Sequence, residues 1–152
     1  MKVCICADSH GNVTGLQTML DLERPQVLLF LGDGERDFRA VDLPSGTVMY
    51  AVAGNCDFMS MEPPWRKIQL EGVKIFLTHG HYYGVKSGPE RLLERAADEE
   101  VQLVVHGHTH RVDLQTENGI TLLCPGSLGV QTENYAVVEI QDDKFNVELK
   151  EL

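Results

Sequence analysis

The chain has 152 residues, enough for one compact domain whose core needs neither disulfides nor a structural metal. Lys plus Arg total 13 against 23 Asp plus Glu, and the net charge of −10 argues against a basic surface that tracks a nucleic-acid backbone. The four cysteines, Cys4, Cys6, Cys56 and Cys124, show neither C-x-x-C spacing nor disulfide density, so a reducing, cytoplasmic setting is expected.

The first element, "KVCICA" (2–7), stops at Asp8 and is too short for a membrane span or a signal-peptide core, so it reads as a strand. In "NVTGLQTMLDLERP", Leu16, Met19, Leu20 and Leu22 recur at roughly helical spacing and Pro25 marks the stop. "QVLLFL" (26–31) is again of strand length, and β-α-β implies parallel pairing. Strand-length runs follow at "TVMYAVA" (47–53), "VKIFLT" (73–78) and "VQLVVH" (101–106). Between the last two, "GPERLLERAADEE" (88–100) predicts a helix, with Pro89 near its first turn and Leu92, Leu93 and Ala96 on one face. Beyond residue 110 the pattern alternates, and Asn118-Gly119 marks a hairpin. "YAVVEIQDDKFNVELKEL" reads as two antiparallel strands around Asp142-Asp143. The expectation is one α/β domain over 1–152, with two sheets packed face to face, helices outside and a terminal meander finishing the second sheet. Strand order is left open.

Each of the five runs is followed at once by residues able to bind a metal: "DSHG" (8–11), "GDG" (32–34), "GNCD" (54–57), "THGH" (78–81) and "GHTH" (107–110). All six histidines, His10, His79, His81, His106, His108 and His110, lie in or beside these segments. The carboxyl ends of parallel strands open onto one crevice, so loops far apart in sequence can converge there. Taken singly, Gly-Asp-Gly is usually a turn and Asn-Cys-Asp a polar strand end. Five such segments in order, holding every histidine, point to one metal site. Gly107 is expected to let the chain turn as it leaves its strand, separating the roles of His108 and His110.

The ordered motifs D-x-H, G-D, G-N-x-D, a histidine after the fourth strand and G-H-x-H resemble those of the calcineurin-like metallophosphoesterases, across essentially the whole chain. The likeness is to the small single-domain bacterial and archaeal phosphodiesterases of that family. "CPGS" (124–127) is similar to the family's Asn-Pro-Gly-Ser turn, with Cys124 where Asn is usual. The resemblance implies a two-sheet αββα sandwich and two divalent metal ions per chain. One ion would be held by Asp8, His10, Asp33 and His110, the other by Asp33, Asn55, His79 and His108, with Asp33 bridging. It also implies hydrolysis of a small phosphodiester by a hydroxide shared between the ions, with no protein nucleophile. Carboxylate, amide oxygen and neutral imidazole together suit manganese, with nickel, cobalt, zinc or iron as alternatives, better than calcium.

Asn55, Cys56, Asp57 and His81 are the catalytic candidates. Many family members have a histidine after the Asn, oriented by the acid and protonating the leaving oxygen; here Cys56 stands in its place. Cys56, His81 or a metal-bound water are then the alternatives for the general acid, and the cysteine resembles the subgroup that favours diesters. Cys4, Cys6 and Cys124 read as small buried hydrophobes and His106 as a packed strand-end imidazole. Arg36, Arg39, Lys86 and Arg111 lie close to the motifs, where solvated surface is the simpler role. Tyr82 and Tyr83 offer rings for stacking or for ordinary loop packing. The competing readings are a phosphomonoesterase, and a non-catalytic scaffold like the retromer subunit that resembles these proteins. Ligand-competent side chains at all seven metal positions favour the enzyme. Neither a membrane nor a long nucleic acid is an expected partner, and a homo-oligomer is left open.

Overall fold

The computed structural model describes residues 1–152. Its first sheet runs β10-β9-β1-β2-β3, comprising β1 (Lys2–Cys6), β2 (Val27–Phe30), β3 (Val48–Ala51), β9 (Asn134–Gln141) and β10 (Lys144–Glu151). The second runs β4-β5-β6-β8-β7, comprising β4 (Trp65–Leu70), β5 (Val73–Thr78), β6 (Leu103–Val105), β7 (Val112–Glu117) and β8 (Ile120–Pro125). Helices α1 (Val13–Glu23) and α2 (Glu35–Ala40) cover the outer face of the first sheet, and α3 (Glu90–Asp98) covers that of the second. The layers are therefore αββα. No helix is long and apolar enough to cross a membrane.

The central strands are apolar at successive positions because both faces are buried. In β1, Val3 and Ile5 enter the core between the sheets, where they meet Ile75, Leu77, Leu103 and Val105 from the second sheet. Cys4 and Cys6 point the other way, under Leu16, Met19 and Leu20 of α1. β1, β2 and β3 pair in parallel, as do β5, β6 and β8. Their carboxyl ends thus open at one end of the sandwich.

Helix α1 is capped by Asn12, whose Oδ1 accepts the Gly15 N–H at 3.0 Å, and it ends at Arg24 in the left-handed region. Leu22 departs from the expected face. It is 66% exposed, because six residues of α-helix place it about two-thirds of a turn round from Leu16. Glu23, buried at the end of α1, accepts Lys2 Nζ at 2.6 Å, Lys150 Nζ at 2.8 Å and the Tyr135 hydroxyl at 2.7 Å. These contacts pin the helix to β1, β9 and β10.

Four elements are additional to the predicted ones: α2, β4 and two 3-10 turns, His81–Tyr83 and Val85–Ser87. The final hairpin, β9–β10, does not finish the second sheet. It pairs antiparallel with β1 in the first, where β9 buries Ala136, Val138 and Ile140 in the inter-sheet core and Tyr135 and Val137 under α1.

Candidate metal centre

The five polar segments meet at the common end of the sheets. The backbone there is unusual: Asp8, His10, Asp33, His108 and His110 all have positive φ, between 42° and 72°. L-residues adopt this region only when the surroundings impose it. For Asp8 they do so through its N–H on Gly32 O at 2.9 Å and through the Ser127 hydroxyl, which donates to Asp8 O at 2.8 Å. Gly107 is not the turning point that the sequence suggests. The reversals fall at His108 and His110, and glycine serves close approach instead: a Cβ at 107 would lie 2.7 Å from Ala7 Cβ and 2.8 Å from Asp8 Oδ2. Gly54 is similarly required, its Cβ position lying 2.1 Å from Asp33 Oδ1.

Two groups of donors result, Asp8 with His10 and His110, and Asp33 with His79 and His108. Within each group one ligand atom per residue lies within 4.8 Å of the others. Asp8 Oδ1 is 3.3 Å from His110 Nε2, and the His10 and His110 Nε2 atoms are 3.3 Å apart. In the second group Asp33 Oδ2 is 3.2 Å from His79 Nε2, which is 3.2 Å from His108 Nδ1. Nitrogens at about 2.1 Å from a shared tetrahedral ion stand roughly 3.4 Å apart, so both spacings fit. Asp33 Oδ2 also lies 3.9 Å from His10 Nε2, and His79 Nε2 lies 3.8 Å from Asp8 Oδ1, which joins the groups.

The tautomer of His79 is set by the protein. Its Nδ1 is 2.7 Å from Leu31 O, the distance of an N–H donating to the carbonyl, so Nε2 is the nitrogen that faces the site. Burial opposes charge on the ring, but Asp33 and Asp8 raise its pKa, and a metal ion would take the place of the Nε2 proton that they favour. Asp8 Oδ1 is buried and accepts no hydrogen bond, a costly condition for a carboxylate oxygen unless a cation meets it. The orphaned oxygen, the converging nitrogens and the oxygen-nitrogen donor set all fit divalent metal ions.

The charges respond accordingly. Burial raises the pKa of Asp8 against the opposing pull of His79, the His108 N–H and His110. Burial also opposes ionisation of Asp33, but the hydrogen bond and charge of His79 and the N–H of Cys56 outweigh it and hold that carboxyl well below the usual range. His108 falls to about 4 through burial, then His79, then Lys86, so its ring is neutral and available as a ligand.

Of the catalytic candidates, Asn55 is exposed and its amide donates to Cys56 Sγ at 3.5 Å. Cys56 is the one exposed thiol; desolvation and the charges of Asp33, Asp57 and Asp8 raise its pKa. His81 packs edge-on against His79, with ring centroids 5.4 Å apart, and burial lowers its pKa. Its neighbour Tyr82 is exposed, whereas Tyr83 packs against Phe76. His106 is buried, with Nδ1 on Gly107 O at 2.8 Å, and Cys4, Cys6 and Cys124 are buried as well.

Asp57, the acid expected to orient a histidine that this chain lacks, is engaged by the backbone. Its two oxygens accept the backbone N–H groups of Asp33, Gly34, Glu35 and Gly54 at 2.8 to 3.0 Å. It clasps the loop that carries Asp33 and caps the start of α2. Asp37 does the same for the first loop, accepting Ser9 Oγ at 2.5 Å and Gly11 N at 2.8 Å. Asn12 secures that loop to the far side through Leu128 O and Gly129 O, each at 3.1 Å. Asp37 carried no signal in the sequence, since its contacts come from a short helix that had not been predicted.

A profile of the calcineurin-like phosphoesterase superfamily domain matches residues 1–143, and the chain belongs to that family. It is, as a member, a metal-dependent phosphoric ester hydrolase. The probable metallophosphoesterase YsnB of Bacillus subtilis is 31% identical over 153 residues, which cover 97% of this chain and 89% of the relative. Phosphodiesterase YfcE of Escherichia coli K12 is 29% identical over 155 residues, covering 86% of this chain and 80% of YfcE. The crystal structure of Entamoeba histolytica Vps29 complexed with zinc superposes with a TM-score of 0.81 at 22% identity, covering 100% of this chain and 98% of that one, a likeness of fold.

Proposed function

We propose that the chain is a phosphodiesterase that uses two divalent metal ions to hydrolyse small phosphodiesters, with residues 1–152 acting as one catalytic domain. The observation that carries this reading is the convergence of two carboxylate–imidazole groups around Asp8 Oδ1, a buried oxygen that no protein donor satisfies. Asp8, His10, Asp33 and His110 would hold one ion, and Asp33, Asn55, His79 and His108 the other. When bound, two such cations would lower the pKa of water toward about 7 and offset charge on a phosphoryl group. Manganese suits the donor set, as do nickel, cobalt, zinc and iron.

The chain's own residues supply position and protons. His79 keeps its Nε2 on the site through Leu31 O, and Asp57 and Asp37 hold the loops that present Asp33 and His10. Cys56 faces the cleft, where burial and then the carboxylates of Asp33, Asp57 and Asp8 raise its pKa in the metal-free protein, and a thiol is in any case a weak donor. His81 is neutral through burial. Proton delivery is therefore modest, which favours leaving groups that need little of it.

Preference for diesters over monoesters is supported by charge. The cleft beside Cys56 is walled by Asp33, Glu35, Asp37 and Asp57 against Arg36 and Arg39, and Arg39 is already paired with Glu35 at 2.9 Å. A diester brings one negative charge there, a monoester up to two. The name of the relative YfcE points the same way. A scaffold role like that of a retromer subunit has only the likeness of fold in its favour.

The test is chelator-stripped protein supplied with Mn²⁺ and assayed on bis-p-nitrophenyl phosphate and p-nitrophenyl phosphate, with Asp33→Ala as control. Metal-dependent cleavage of the diester, weak on the monoester and lost in the variant, is the expected result. A faster monoester reaction would make the protein a phosphomonoesterase, and no activity with no bound metal would restore the scaffold.

A further inference from the structure

Two cavities that share no lining residue border the ligand loops. One, of about 580 Å³, contains His10, Asp33, Cys56 and Phe58. The other, of about 750 Å³, lies between the turn after β5 and the segment that follows β6. It borders the ligand loop: Thr109, the residue between His108 and His110, is in its wall, and the charge of Lys86 in the same wall acts on His108. Within the range of small-ligand pockets, it is large enough for one arm of a diester.

Its chemistry is distinctive. Lys86 and Arg111 line it, and neither takes part in an ion pair, although the chain carries a net charge of −10. Ser87 and Thr109 add hydroxyls. The one carboxylate in the wall, Asp113, already accepts Gln115 Nε2 at 2.9 Å. His106 is 3% exposed and lines the cavity; with Nδ1 donating to Gly107 O, the Nε2 of its neutral ring has no partner in the protein and can accept a hydrogen bond. Two of the ten lining residues are hydrophobic and none is Phe, Tyr or Trp. A nucleobase would find no ring to stack on, and an alkyl arm little apolar wall.

We propose that this cavity receives the non-reacting arm of the substrate, and that this arm is a hydroxylated chain bearing a second anionic group, which Lys86 and Arg111 bind while a hydroxyl donates to His106. The inference rests on the phosphodiesterase reading, in which the scissile phosphorus would sit at the metal ligands, His108 and His110 among them, that flank Thr109 in the chain. It leaves the acidic cavity with Phe58 for the other alcohol.

Two p-nitrophenyl phosphodiesters test it in the Mn²⁺-loaded enzyme, one with 2-hydroxyethyl phosphate as its second alcohol and one with 2-methoxyethanol. Wild-type protein is expected to favour the charged diester in kcat/KM by about tenfold or more, and Lys86→Gln and Arg111→Gln each to reduce that preference about tenfold through KM. No preference in the wild type, or one that both variants retain, overturns the proposal. Independently of turnover, sn-glycerol 3-phosphate titrated into ¹⁵N-labelled full-length protein freed of metal and chelator should shift the amides of Ser87, Gly88 and Thr109 saturably, and not in the variants. Absence of those shifts also overturns it. If neither diester is cleaved, the phosphodiesterase reading fails, and the titration still decides whether the cavity takes an anion.

Discussion

Asp57 and Cys56 are neighbours with opposite relations to the solvent. Cys56 faces the cleft, whereas the carboxylate of Asp57 is engaged by four backbone N–H groups from two loops. Asp57→Asn replaces one acceptor oxygen by an NH₂ that meets N–H donors, so at least one loop must shift. Mn²⁺ affinity, measured by calorimetric titration, is expected to fall roughly 10- to 100-fold, as for other groups that orient metal ligands. Unchanged affinity would make Asp57 merely a cap of α2. The ligand candidates were legible in the sequence because metal binding depends on side-chain type, and aspartate and histidine at strand ends advertise it. The clasps were not, since a carboxylate that bonds to backbone has no marker of its own. Nor were the positive φ angles of Asp8, His10, Asp33, His108 and His110, because aspartate and histidine tolerate such a backbone without requiring it.

The hairpins show which elements a sequence reveals. Three pairs of central residues, Glu71-Gly72, Asn118-Gly119 and Asp142-Asp143, have positive φ throughout, the geometry of two-residue turns between twisted strands. Asn118-Gly119 and Asp142-Asp143 stood out, whereas Glu71-Gly72 did not, and β4 was missed with it. That strand lies at a sheet edge with alternating exposure, so its polar half concealed it. Helix α2 has one large apolar residue, Phe38, too few to show a period. At this scale Glu23 offers a test. Burial opposes its ionisation, but Lys150, Lys2 and Tyr135 prevail and lower its pKa from 4.5 to about 2. Because the folded value is depressed, the stability it contributes is full above about pH 4.5 and is lost as the pH falls toward 2. Urea unfolding at pH 6, 4 and 3 should therefore show a shallower loss in Glu23→Gln than in the wild type. Equal slopes would mean that the three partners do not sense the Glu23 charge.

For the whole molecule, the sandwich follows from runs that are apolar on both faces, since such strands need cover above and below. The sheet to which β9–β10 belongs was not legible, because either sheet could accept a hairpin with two apolar faces at one end. All seven expected ligands follow the carboxyl ends of the parallel strands, outside the core between the sheets, so metal binding should stabilise the fold without altering that core. With Mn²⁺ at about 100 times its dissociation constant the gain is roughly 2.7 kcal/mol. That corresponds to a melting temperature about 5–10 °C higher for a chain of this size. Scanning fluorimetry with and without the ion checks it, and Asp33→Ala should show little rise. The left-handed ligand positions carry a further consequence. Each costs an L-residue about 1–2 kcal/mol that glycine would not incur, so the end of the sandwich that holds the ligands is also where the backbone is least at ease. A population of variants selected for heat resistance alone would drift toward glycine at those positions, and its hardiest survivors would be inert.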